Sequence, residues 1–175
     1  MTQEMKDAIS ATVADFSLPR YRELPDTGLY LNQAAQYICQ TLSLLQENAV
    51  TGTMISNYVK MGLIESPASK RYSRDQIAYL IFIAVAKSVL SLEALGHFIR
   101  IQQSTYSMEK AYDYFTRELE NMLFFTFELK DTMDIVGQDN TDEKRMLYTC
   151  VAAVVEKFYL ERCLEAIARE CPGEK

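Results

Sequence analysis

The run from Thr51 to Leu95 constrains the fold more than any other part of the chain, because it carries its own helix punctuation. Thr51 can accept the free N–H groups of a first helical turn, and Gly62 supplies a backbone suited to positive φ at a helix end. A short helix is therefore expected over 51–61, with Met54 and Ile55 turned to the core. Ser69-Lys70-Arg71-Tyr72 reads as a tight basic connector. Ser73 with Gln76 then has the capping-box spacing, which satisfies two helix-end donors at once. Ile77, Leu80, Ile81 and Ala84 recur at helical spacing behind it, so a second helix with a core-facing side is expected.

Helical periodicity dominates the flanks as well. Leu31 to Gln46 places Ala34, Ala35, Ile38, Cys39, Leu42 and Leu45 on one face, with Asn32 as a cap and a loop over 47–50. Residues before Phe16 suit a short amphipathic helix or a loose arm. Phe16 to Tyr30, with Pro19, Pro25 and Gly28, should form an extended, turn-rich strap. A helix is expected from Ser91 to about Gln102, and a longer one from about Met108 to Met133. The stripe of the longer one is Tyr112, Phe115, Leu119, Met122, Phe125 or Thr126, and Leu129. The chain breaks at 136–140. Thr141, with Lys144 and Arg145, opens a last helix whose apolar face is Leu147, Val151, Val154, Phe158 and Ile167, and Pro172-Gly173 ends it.

Length and composition bound the classes. At 175 residues and 49% hydrophobic, the chain is one domain, or a small domain with an appended helical part, and can bury a core. No apolar run spans a bilayer; Ile77 to Leu90 is interrupted by Lys87. With Glu4 and Asp7 near the start and no apolar signal core, the expected location is cytoplasmic, with no membrane partner. The four cysteines lack metal-pair spacing, so reduced thiols are expected. The net charge of −6 is unevenly spread: six basic residues face four acidic ones over 31–100, against nine and fifteen over 101–175. A weakly positive head on an acidic body suits a DNA-reading module joined to a part with another job.

The order helix, Gly62-Leu63-Ile64 stop, basic connector and capped helix resembles the MerR-type bacterial regulators, with Arg71-Tyr72-Ser73, Asp75-Gln76-Ile77 and Ser91-Leu92-Glu93-Ala94-Leu95 in matching places. Leu18-Pro19-Arg20-Tyr21-Arg22-Glu23-Leu24-Pro25, Leu29-Tyr30-Leu31-Asn32-Gln33 and Met54-Ile55-Ser56-Asn57-Tyr58-Val59-Lys60 are similar to a bacterial MerR-like family of unknown function, over roughly Phe16 to Ile99. The resemblance implies a mainly α fold. A winged helix-turn-helix with a very short β wing occupies 31–100, between an arm and strap over 1–30 and a helical dimerisation or effector region over 101–175. Its departures are specific: Thr53 and Ser56 stand where such regulators usually carry arginines, and the wing is shorter.

That reading sets the expected site. Thr53, Ser56, Asn57 and Tyr58, on the helix that Thr51 opens, reach bases or phosphates of a duplex; Asn57 suits adenine edges. Lys60, Lys70, Arg71 and Arg74 contact phosphate, and Tyr72 packs the wing or touches the backbone. The expected partners are double-stranded DNA and a second copy of the chain, with a small-molecule effector as a further possibility. The aromatic tail suits a core with a dimer interface, or a ligand pocket. Catalysis is not expected: the single histidine, His97, lies on an apolar stretch as a packing or capping group, and no phosphate loop or nucleophile motif occurs. No metal or cofactor is expected. The alternative function is a helical protein-interaction or ligand-sensing module on a scaffold that no longer binds DNA.

Overall fold

The computed structural model describes residues 1–46 and 49–170. Glu47, Asn48, Cys171 and the expected Pro172-Gly173 stop lie outside the described residues. Seven helices are described: α1 (Gln3–Ala11), α2 (Leu31–Thr41), α3 (Gly52–Lys60), α4 (Arg74–Ala86), α5 (Leu92–Thr105), α6 (Met108–Thr126) and α7 (Asp142–Glu170). A two-stranded antiparallel sheet joins β1 (Leu29–Tyr30) to β2 (Arg71–Tyr72), with Leu29 opposite Tyr72 and Tyr30 opposite Arg71.

Helix α4 forms the centre. Ten of its residues are buried, including Ile77, Leu80, Ile81, Phe82, Ile83 and Val85, so it is apolar all round rather than on one side. Helices α2, α6 and α7 pack around it, and α6 lies along α7. Lys87, which interrupts the apolar run, sits at the end of α4 and donates to the Ala49 carbonyl. One continuous hydrophobic cluster runs from Ile9 in α1 to Cys163 in α7. Phe82 meets the Phe115 ring edge-on at 5.3 Å, and Phe127 meets Tyr159 at 5.2 Å, so much of the aromatic tail is core. Cys150 and Cys163 are buried free thiols, and Cys39 is half-buried. Among the described residues, no helix is long and apolar enough to cross a membrane.

The strap is stitched to the far half of the chain. Arg20 grips Glu120 with both guanidinium nitrogens, at 3.1 and 2.5 Å, and Glu120 also accepts the Leu18 N–H at 2.8 Å. Asp113 accepts the Tyr21 N–H at 2.7 Å. A short 3-10 turn over Tyr21–Glu23 lies within the extended, turn-rich strap expected there.

Several expected boundaries are corrected. Helix α2 ends at Thr41 rather than Gln46, and Asn32 lies inside it: the Tyr30 N–H is capped by Gln33 at 3.0 Å. Helix α6 stops at Thr126 rather than continuing to Met133, because Glu128 adopts φ 57° and the Leu129 N–H returns to the Phe124 carbonyl at 2.8 Å. Leu129 therefore leaves the stripe, and the buried Leu123 and Phe127 complete it. On α7 the buried line is Leu147, Val151, Val155 and Cys163; Ile167 is 44% exposed on another side. His97 is exposed and not a packing group, with its Nδ1 3.2 Å from Arg100.

Candidate nucleic-acid interface

The caps read from the sequence set the site's geometry. Thr51 Oγ1 accepts the Met54 N–H at 3.2 Å, which starts α3 where expected. At the other end Gly62 takes φ 70°; its N–H bonds the Val59 carbonyl at 3.0 Å, and the Leu63 N–H bonds the Tyr58 carbonyl at 2.9 Å. A residue with a β-carbon would be strained at that position. The Ser73–Gln76 capping box is present, at 3.3 and 2.9 Å, and Gln76 also donates to the Glu65 carbonyl at 2.8 Å.

Helix α3 is amphipathic across this frame. Ile55 and Tyr58 are buried, whereas Thr53, Asn57 and Lys60 are exposed at a spacing of four and three residues, which puts them on one outward stripe. Ser56 is half-buried and its hydroxyl donates back to the Gly52 carbonyl at 2.9 Å. Tyr58, expected among the readers, is 3% exposed; burial raises its hydroxyl pKa, and it serves the core.

The basic connector is a hairpin turn. Ser69 and Lys70 take φ 49° and 62°, and the Arg71 N–H closes on the Ala68 carbonyl at 2.9 Å. Lys70 is exposed at its tip. Arg71 is exposed but lies across the sheet: its guanidinium is 4.5 Å from the Tyr30 ring centre and donates to the Tyr30 hydroxyl at 3.1 Å. A β-carbon on Gly28, whose φ is 74°, would stand 3.0 Å from Arg71 Cβ, so the strap comes this close only with glycine there. Tyr72 is 4% exposed, a packing residue rather than a backbone contact. Arg74 donates to the Leu24 carbonyl at 3.1 Å, pairs with Asp26 at 3.7 Å and lies over the Tyr21 ring. The Tyr21 hydroxyl, pushed up to about 12 by burial and then by neighbouring Asp75, stays protonated and donates to that carboxylate.

Of the ten expected site residues, Thr53, Asn57, Lys60 and Lys70 are exposed without internal partners among the described residues. Thr51 caps, Ser56 bonds its own helix, Arg71 and Arg74 clamp the strap, and Tyr58 and Tyr72 are core. Two further residues join the surface. Tyr30 is 47% exposed beside Arg71, and Asn32 is exposed at the start of α2. Gly52 packs against Leu31 and Asn32, so the N-terminal ends of α2 and α3 meet, with β1 leading straight into the junction. Two adjacent helix N-termini give that corner a partial positive charge, although it carries no lysine or arginine of its own. A two-residue strand leaves no periodic signal in the sequence, which is why Tyr30 escapes a sequence-based reading.

Among the described residues no cluster of histidine, cysteine or carboxylate side chains could hold a metal ion. No curated protein and no solved structure matches the chain. A family profile described as a domain of unknown function, DUF1836, matches residues 19–115. The matched stretch starts in the strap and ends midway along α6, so it takes in the strap, the α2–α3 corner, the hairpin turn and Asp113, which holds Tyr21. Covering more than half of the sequence, it places the chain in the DUF1836 family.

Proposed function

We propose that the protein is a DNA-binding transcriptional regulator of MerR-like winged helix-turn-helix type. Helices α2 and α3 act as the helix-turn-helix, and the Ser69–Lys70 turn acts as the wing. The observation that carries this reading is the outward stripe Thr53, Asn57 and Lys60, on a helix whose other side is locked into the core. Such a helix presents side chains to a major groove without loss of fold. Asn57 offers a bidentate amide to adenine, while Lys60, Lys70 and the α2–α3 N-terminal corner meet phosphates.

Few cations are free, so a single copy displaces few counterions and binds weakly. Two copies on two half-sites offset this, and α7 offers the surface for them. Leu160, Leu164 and Ile167 are 58%, 57% and 44% exposed on its outward side. Around that stripe Glu156, Glu161 and Glu165 are matched in number by Lys157, Arg162 and Arg169, so two copies of it carry no net repulsion.

The test is selection from a randomised duplex pool, followed by affinity across a salt series. A palindrome-like site should be enriched, with affinity falling steeply as salt rises. Lys60→Ala and Lys70→Ala should each lower the salt slope by about 1, and Asn57→Ala should relax base preference by about 1–3 kcal/mol. No enrichment at low salt would sink the DNA reading. A protein-interaction module on the same scaffold is the second reading, and it is favoured by Arg71 and Arg74 being engaged with the strap.

A further inference from the structure

A cavity of about 290 Å³ lies between α5, α6, the 127–141 segment and α7, and no residue of α3 lines it. That volume is at the lower end of small-molecule sites, which run to roughly 300–1,000 Å³. Phe98, Ala111, Tyr114 and Leu147 supply apolar and aromatic wall, and Val136 and Gly137 come over it from the 127–141 segment.

Its lining carries three carboxylates and three cations, which differ in how fully they are engaged. Asp113 is committed to the Tyr21 N–H at 2.7 Å, and Glu143 accepts from the Thr105 hydroxyl at 3.0 Å. Asp139 is held by the Tyr106 hydroxyl at 2.8 Å and Lys110 at 3.1 Å, with Lys144 at 3.8 Å. Those contacts, Tyr106 first and then Lys110, bring the Asp139 pKa down to about 2. All three carboxylates and both lysines on the lining are thereby engaged. Arg117, also on the lining and exposed, enters no ion pair or hydrogen bond among the described residues. Among the described residues Arg117 is therefore the one charged side chain on the lining without a partner, and its planar guanidinium fork matches a carboxylate.

We infer that this cavity binds a small organic acid with one carboxylate and a flat apolar body. The carboxylate pairs with Arg117, and the body lies among Phe98, Tyr114 and Leu147. Nothing in this assignment depends on DNA binding, and the titration that tests it contains no DNA.

The probes are 2-naphthoate and its uncharged isostere 2-naphthamide, titrated calorimetrically into the full chain. Naphthoate should bind at least about tenfold tighter than the amide, the lower end of what a charge-assisted hydrogen bond supplies. Arg117→Gln should remove that tenfold preference and leave the amide unchanged. Ala111→Leu, which fills the cavity from α6, should weaken both probes. The inference is overturned if naphthoate fails to bind at millimolar concentration, if Arg117→Gln binds it as the parent does, or if Ala111→Leu leaves both probes unaffected.

Discussion

Glu118 is 3% exposed on α6, a turn along from Tyr114. Burial raises its pKa, and Tyr114, Lys144, Asn121 and Lys130 pull it back without cancelling that rise. A carboxyl whose folded pKa lies above its unfolded value favours the folded state most when protonated. Its contribution is therefore present below the ordinary carboxylate range and declines as pH rises through the folded pKa. Glu118→Gln keeps the shape and removes the titration. The variant should be more stable than the parent at pH 7.5, with the gain shrinking towards pH 4, as read from urea midpoints at the two pH values. A variant no more stable than the parent at pH 7.5 would mean that the neighbouring lysines already compensate the buried charge. The same competition between burial and partnership decides the expected DNA readers. Tyr58, which is core, and Asn57, which is exposed one position earlier, are both able to bond to DNA, and helix phase assigns them to opposite sides.

At the scale of elements, the parts marked by local chemistry were legible. Helix α3 begins and ends close to where Thr51 and Gly62 place it, and α4 begins where Ser73 and Gln76 do, because caps are decided by neighbours a few residues away. Helix α6 overran its true end for the converse reason: its αL residue is Glu128, and no glycine announces it. Helix α7 misled differently. Over 29 residues it carries apolar side chains on two sides, so the spacing that links Leu147 and Val151 to Ile167 fits the sequence as well as the buried line does. The cavity was illegible, since its walls come from three helices and an aperiodic segment. If the outward side of α7 joins two copies, Leu160→Ser with Leu164→Ser should shift the protein from dimer to monomer in sedimentation while its helical circular dichroism stays unchanged. A parent that sediments as a monomer would remove α7 from the dimer reading.

Across the whole molecule, the strap joins what the sequence order separates. Glu120 holds both the Arg20 guanidinium and the buried Leu18 N–H, and its side chain is only 14% exposed. Glu120→Ala should leave both groups unpaired and cost about 2–4 kcal/mol. That is a fall in Tm of roughly 5–15 °C for a chain of this size. Thermal denaturation reads it directly, and an unchanged Tm would show that the strap is held by its apolar residues alone. The Arg20–Glu120 pair also sets a timetable. A hundred residues separate the partners, and at about 5–20 residues per second a ribosome needs roughly 5–20 s to supply the second after the first. Through that interval the Arg20 guanidinium lacks the Glu120 carboxylate, while α2, α3 and α4 are being made. The strap is therefore fastened late in synthesis, and the chain with its strap still loose is the form that chaperones and proteases meet first.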